Sequence, residues 1–243
     1  MRLFRLLLVP FTLLLCYAGT PQAHAEDPIA KSYVFEGQLD QSGVLKVTET
    51  IQFDTPPAEL TQRIANQAPI DRERSYTYDI SGMEVTGAEN VDTKVEGDYT
   101  VVSMKPSTTV KISYQVTGTT RREPGSNGQT SVFTWRALQG LSVATEKASG
   151  TLQVGATPQL VDCTAGPPGA LDKCQVYTAG THNSLTPMFE TSARGAGEQV
   201  TFTVGFASEQ VAPTEEVHEQ WNLDRAFRID LATAGAALAT LVV

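Results

Sequence analysis

The chain predicts an all-β fold, an immunoglobulin-like β-sandwich, on three observations. Short segments alternate apolar and polar residues, turn-forming Gly, Asp, Asn and Ser clusters separate them, and helical periodicity is scarce. The clearest strand is GVLKVTETIQFD, residues 43–54, where Leu45, Val47, Ile51 and Phe53 share one face and Lys46, Thr48, Thr50 and Gln52 the other. YVFEGQL (33–39) precedes it across the turn Asp40-Gln41-Ser42-Gly43, which predicts a hairpin. The alternation returns in TVKISYQV, with Val110, Ile112, Tyr114 and Val116 on one face, and in VTFTVGF, with Val200, Phe202, Val204 and Phe206. Weaker strand candidates are SYTYDI (75–80), MEV (83–85), YTVVSM (99–104), VFTW (132–135), TLQV (151–154), QVY (175–177) and MFETS (188–192).

One segment reads as helical. In AELTQRIANQ (58–67), Leu60 and Ile64 stand four apart, enough for two turns before Pro69 stops them. The polar loop RREPGSNGQ (121–129) is either a seam between two β lobes, 30–119 and 131–208, or a long loop within one domain. No internal repeat at a fixed period is present.

Both ends are apolar. Arg2 and Arg5, the run from Leu6 to about Gly19, and Ala23-His24-Ala25 before Glu26-Asp27 lay out a signal peptide, residues 1–25, with a small-x-small cleavage site at Ala23 and Ala25. The β region, 28–208, is followed by an acidic linker and juxtamembrane segment, 209–230, whose Trp221, Arg225, Phe227 and Arg228 suit a membrane interface. The uncharged run 231–243 would reach about 20 Å as a helix, against about 30 Å for a bilayer core, and is read as a truncated transmembrane helix. The expected location is the cell membrane, with the β domain extracytoplasmic.

Charge and cysteines narrow the partners. Removing residues 1–25 takes away Arg2 and Arg5 and no acid, which lowers the net charge from −9 to −11. Such a chain repels phosphate backbones, so nucleic acid is excluded as a partner class. Cys163 and Cys174 in CTAGPPGALDKC are expected to form a disulfide, worth about 3 kcal/mol in the chain-entropy model.

Among residues that could carry chemistry, Glu49 falls on the apolar face between Val47 and Ile51, and a buried carboxylate needs a partner. An ion pair between Glu49 and Arg63 is the expectation. Phe133 and Trp135 alternate on one strand and are expected in the core. Gly140-Leu141-Ser142-Val143-Ala144 lacks the last glycine of a nucleophile elbow and has no helix after it. His218 in EEVHEQW has no second histidine four residues on, so no zinc-protease pair forms. No phosphate-binding, dinucleotide or calcium-loop motif occurs, and no catalytic residue, cofactor or metal is assigned.

The segment DQSGVLKVTETIQFD resembles the opening strand pair of the bacterial predicted membrane proteins known as domain of unknown function 2207. ISYQVTG, then VFTWRALQGLSVATEKASGTLQV around Trp135, and the Cys- and Gly-rich VDCTAGPPGALDKC resemble the same family, across most of residues 30–210. The chain departs from it at Arg136, where the family often has asparagine, and matches its arginine-containing segment only loosely around Arg63-Ile64. The resemblance implies an extracytoplasmic β domain followed by membrane helices, with no established activity. The expected function is therefore non-enzymatic: binding, sensing or a structural role in the envelope, with a cell-wall component or envelope protein as partner. The alternatives are an envelope hydrolase with unidentified acidic residues, or the extracellular cap of a multi-span transport or signalling protein.

Overall fold

A computed structural model describes residues 28–219 apart from 124–128, 182–184 and 208–209. The signal segment with Ala23 and Ala25, His182, and the apolar run 231–243 lie outside the described residues. Among the described residues, no helix is long and apolar enough to cross a membrane.

The structure is all-β. The amino-terminal half contributes β1 (Ile29–Ala30), β2 (Ser32–Leu39), β3 (Leu45–Gln52), β4 (Leu60–Ala65), β5 (Gln67–Pro69), β6 (Arg74–Thr77), β7 (Asp79–Glu96) and β8 (Tyr99–Thr117). After these come β9 (Thr120–Arg122), β10 (Gln129–Leu138), β11 (Ala144–Thr145), β12 (Ala148–Val154) and β13 (Pro158–Gly166). The last four are β14 (Val176–Thr178), β15 (Met188–Thr191), β16 (Gln199–Ala207) and β17 (Glu216–Glu219).

The larger sheet runs β14-β15-β12-β2-β3-β8-β4, with β7 also paired to β8; the smaller runs β13-β16-β10-β9. Their inner faces meet as a sandwich. Phe35, Ile51, Val110 and Ile112 of the larger sheet join Phe133, Trp135, Phe202 and Phe206 of the smaller in one buried cluster. The Phe189 and Phe202 rings, one from each sheet, approach to 5.1 Å, and the Tyr33 hydroxyl donates across the layers to the Ala137 carbonyl at 2.8 Å. Each such side chain stabilises the fold by roughly 1.5–3 kcal/mol on burial.

Two sequence expectations are corrected, and an alternative left open at 121–129 narrows. Residues 58–67 hold β4 rather than a helix: Leu60, Gln62 and Ile64 point inward and β4 pairs with β8 from Leu60↔Met104 to Ala65↔Tyr99. A separation of four satisfies a period of two as well as a helical one, and a two-turn helix carries its nucleation cost without repaying it. Of the two alternatives for 121–129, a seam between lobes or a loop within one domain, the strand order fits the second. Strand β2 lies between β3, from its own side of the loop, and β12, from the other, and one core serves both sheets.

The stretch after β16 is not simply a solvated linker. Val211 is buried, Thr214 bonds Thr120, and β17 pairs with β6 from Glu216↔Thr77 to Glu219↔Arg74. All four β17 side chains are exposed, His218 among them, and the pairing itself is made by the backbone. Acidic side chains are compatible with an edge strand, where they discourage further pairing.

At the β2–β12 seam each glycine is registered with a large residue, Gly150 with Phe35 and Gly37 with Leu152. A Cβ on Gly150 would stand 2.6 Å from Phe189 Cζ and 3.0 Å from Phe35 Cβ. Gly150→Ala should destabilise the fold by about 1–3 kcal/mol through overpacking, read as a lower denaturation midpoint in urea.

Cys163 and Cys174 form the disulfide, with Cα atoms 5.4 Å apart. It pins the segment 166–173 beside β13, where the Cys174 amide donates to the Cys163 carbonyl at 3.1 Å. Replacing both cysteines by serine should cost about 3 kcal/mol, measured by denaturant titration against the oxidised parent.

Candidate functional site

The most distinctive surface feature is a groove of about 820 Å³ over the outer face of the smaller sheet. Because side chains alternate along a strand, β10 and β16 send Trp135 and Phe202 into the core and present Thr134, Arg136 and Thr201 outward. The strands β5 and β6 contribute to the groove from one direction and the disulfide-closed segment from another, with Leu171 there 84% exposed.

Three arginines converge on this groove: Arg63 from β4, Arg121 from β9 and Arg136 from β10. Among the described residues no Asp or Glu lines it, although the chain carries 27 acidic residues against 18 basic ones. Two of the guanidiniums rest on aromatic rings. Arg63 Cζ lies 4.7 Å from the Tyr99 ring centroid, and Arg121 Cζ 4.7 Å from that of Tyr76. A ring face fixes the plane of a guanidinium and leaves its N–H edge available.

Arg121 also donates to Thr134 Oγ1 at 2.9 Å, and among the described residues its nearest ion pair is with Glu123 at 4.0 Å. Tyr78 packs edge-on against Trp135, centroids 5.2 Å apart, and ties the groove to the core. Burial pushes the Tyr78 phenol up, and the charges of Arg136 and Arg121 oppose that shift. The guanidinium donors give the groove the means to attract and orient an anion.

Among the residues singled out from sequence, Phe133 and Trp135 are buried, at 0% and 2% exposure. Glu49 is fully buried, but the ion pair with Arg63 does not form. The pleat explains the correction: Gln62 points into the core and Arg63, one residue on, points out to Tyr99. Glu49 instead accepts from the Tyr114 hydroxyl at 2.6 Å and faces the Gln62 amide at 2.5 Å. The groove tyrosines and Arg121 carried no sequence signal beyond the composition of RSYTY and TRRE.

Burial raises the Glu49 carboxyl to about 7, against the opposing effect of hydrogen bonds from Tyr114, Gln62 and Tyr33. The Tyr114 and Tyr33 phenols are themselves pushed well up, first by burial and then by the Glu49 charge.

An acid whose folded pKa is raised binds its proton more tightly in the folded state. Its stabilising contribution is complete below the unfolded value near 4.5 and is lost as pH rises through 7. The difference is about 3 kcal/mol. Glu49→Gln should therefore match the parent in stability near pH 4.5 and exceed it by about that amount at pH 8.5, measured by urea titration at both values. Parallel pH profiles would show that the residue does not titrate in this window.

No family profile matches the chain, and no curated protein matches it. Among solved structures, it is similar to an aminopeptidase N family protein from Idiomarina loihiensis, at 13% identity and a TM-score of 0.39, over 71% of this chain and 29% of that one. An M1 zinc metallopeptidase from Deinococcus radiodurans matches at 10% identity and a TM-score of 0.31, over 74% of this chain and 42% of the other. The chain thus spans less than half the length of either, and at these scores neither similarity bears on its activity.

Proposed function

We propose that this chain is the ligand-binding β-sandwich of a bacterial envelope membrane protein, working outside the cytoplasm and held to the membrane through a helix that begins in residues 231–243. Its role is recognition rather than catalysis. The observation that carries this reading is the groove in which Arg63, Arg121 and Arg136 converge with no lining carboxylate among the described residues, on an otherwise acidic protein. Three guanidiniums gathered in one concave site focus a positive potential that draws an anion to it even on a protein of net negative charge. Guanidiniums held on ring faces suit the binding of an anion.

The disulfide supports an oxidising compartment, and the likeness to domain of unknown function 2207 and the sequence pattern of residues 1–25 point the same way. Testing requires the full chain in bacterial cells. The mature amino terminus should begin at Glu26, the protein should fractionate with membranes, and Cys163 and Cys174 should resist maleimide until a reductant is added. An unprocessed chain in the soluble cytosolic fraction with both thiols reactive would overturn the proposal.

A further inference from the structure

We infer that the groove binds a short, extended acidic peptide, its carboxylates meeting Arg63, Arg121 and Arg136 and its apolar side chains meeting the surface around Leu171. The inference rests on the recognition role proposed above and specifies its ligand.

The charges come first. Stacking on Tyr99 and Tyr76 holds two guanidiniums in fixed planes before any ligand arrives, which lowers the ordering cost of forming bidentate carboxylate pairs. The positive zone is also short. Glu96 is close enough to Arg63 to feel its charge, and Glu123 stands 4.0 Å from Arg121. Next to Arg121, the Arg122 amide donates to Glu215, and Glu216 opens β17 opposite Thr77, one residue from Tyr76.

A long wall polyanion crossing this surface would leave the arginines and run over acids of its own sign, whereas a ligand with two or three negative charges confines them between the arginines. A bare anion would leave most of the volume unused.

The apolar contacts then favour a peptide. Leu171 is 84% exposed on a segment fixed by the disulfide, and Pro69 and Ala170 also line the groove. Holding a leucine rigidly in water has no benefit to the fold, and burying it against a ligand side chain does. The volume, about 820 Å³, is within the range of sites that engulf a ligand of several residues' bulk.

The test uses the full chain in neutral detergent and isothermal titration. The probes are acetylated hexapeptide pools with Asp or Glu alternating with mixed apolar residues, the same pools with Asn and Gln, the acidic pools with glycine in place of the apolar residues, and polyglycerol phosphate. The acidic apolar pool should bind at least about tenfold more tightly than either altered pool, and Arg63→Gln or Arg136→Gln should each weaken it by about tenfold. Arg63→Lys should fall between, and Lys46→Gln on the other sheet should bind as the parent does. Circular dichroism confirms folding of each variant.

Equal binding of the acidic and amide pools, indifference to both arginine variants, or equal binding of the glycine pool would overturn the inference. If polyglycerol phosphate binds through Arg63 and Arg136 while the peptides do not, the ligand class is wrong and the recognition role stands. If no probe binds a folded protein, the groove is not a site for peptide or polyanion and both readings fall.

Discussion

The parallel pairing of β2 with β12 is the constraint on which the rest of the sandwich depends. Residues Tyr33 to Leu39 register one for one with Ala148 to Val154, more than a hundred residues later. A parallel pair cannot be closed by a tight turn, so the intervening chain must leave the larger sheet and return. On that excursion it lays β9 and β10 across the inner face, and after β12 it supplies β13 and β16 to finish the second layer. Neither half of the chain buries its own apolar face. The core is complete only when both sheets are in place, which makes the fold rich in distant contacts and slow to assemble by the usual dependence of rate on contact order.

That interleaving also produces the groove. Arg63, Arg121 and Arg136 belong to strands of two different sheets, and the rings beneath the first two come from β8 and β6. They converge because β4, β9 and β10 reach the same region of the sandwich, while the disulfide brings Leu171 to it by tying the segment after β13 back against that strand. Charge is segregated by the pleat. On β4, Gln62 turns inward to Glu49 and its neighbour Arg63 turns outward to Tyr99, so one residue of parity separates a neutral polar contact in the core from a cation at the surface. The buried carboxyl survives without a cation because three polar side chains surround it and because its proton is held up to about neutrality.

Strand identity was legible where the alternation was strict. Val110, Ile112, Tyr114 and Val116, and likewise Val200, Phe202, Val204 and Phe206, are buried along one face each. Alternation is a local property of an extended chain and needs no partner to be read. Residues 58–67 misled because Leu60 and Ile64 fit both periods, and only pairing with β8 decides between them. The acidic stretch around β17 misled because composition reports on side chains, and the pairing of β17 with β6 is made by the backbone.

By itself the sequence determined the all-β class, the position of Glu49 on an apolar face, and the pairing of two cysteines, since each follows from spacing within a short segment. The tertiary structure alone decided that β2 pairs with β12, that Gln62 and Tyr114 rather than Arg63 meet Glu49, and that three arginines share a groove. The physical reason is that register and sheet order are set by which faces bury together, a property of the whole core that no single strand contains.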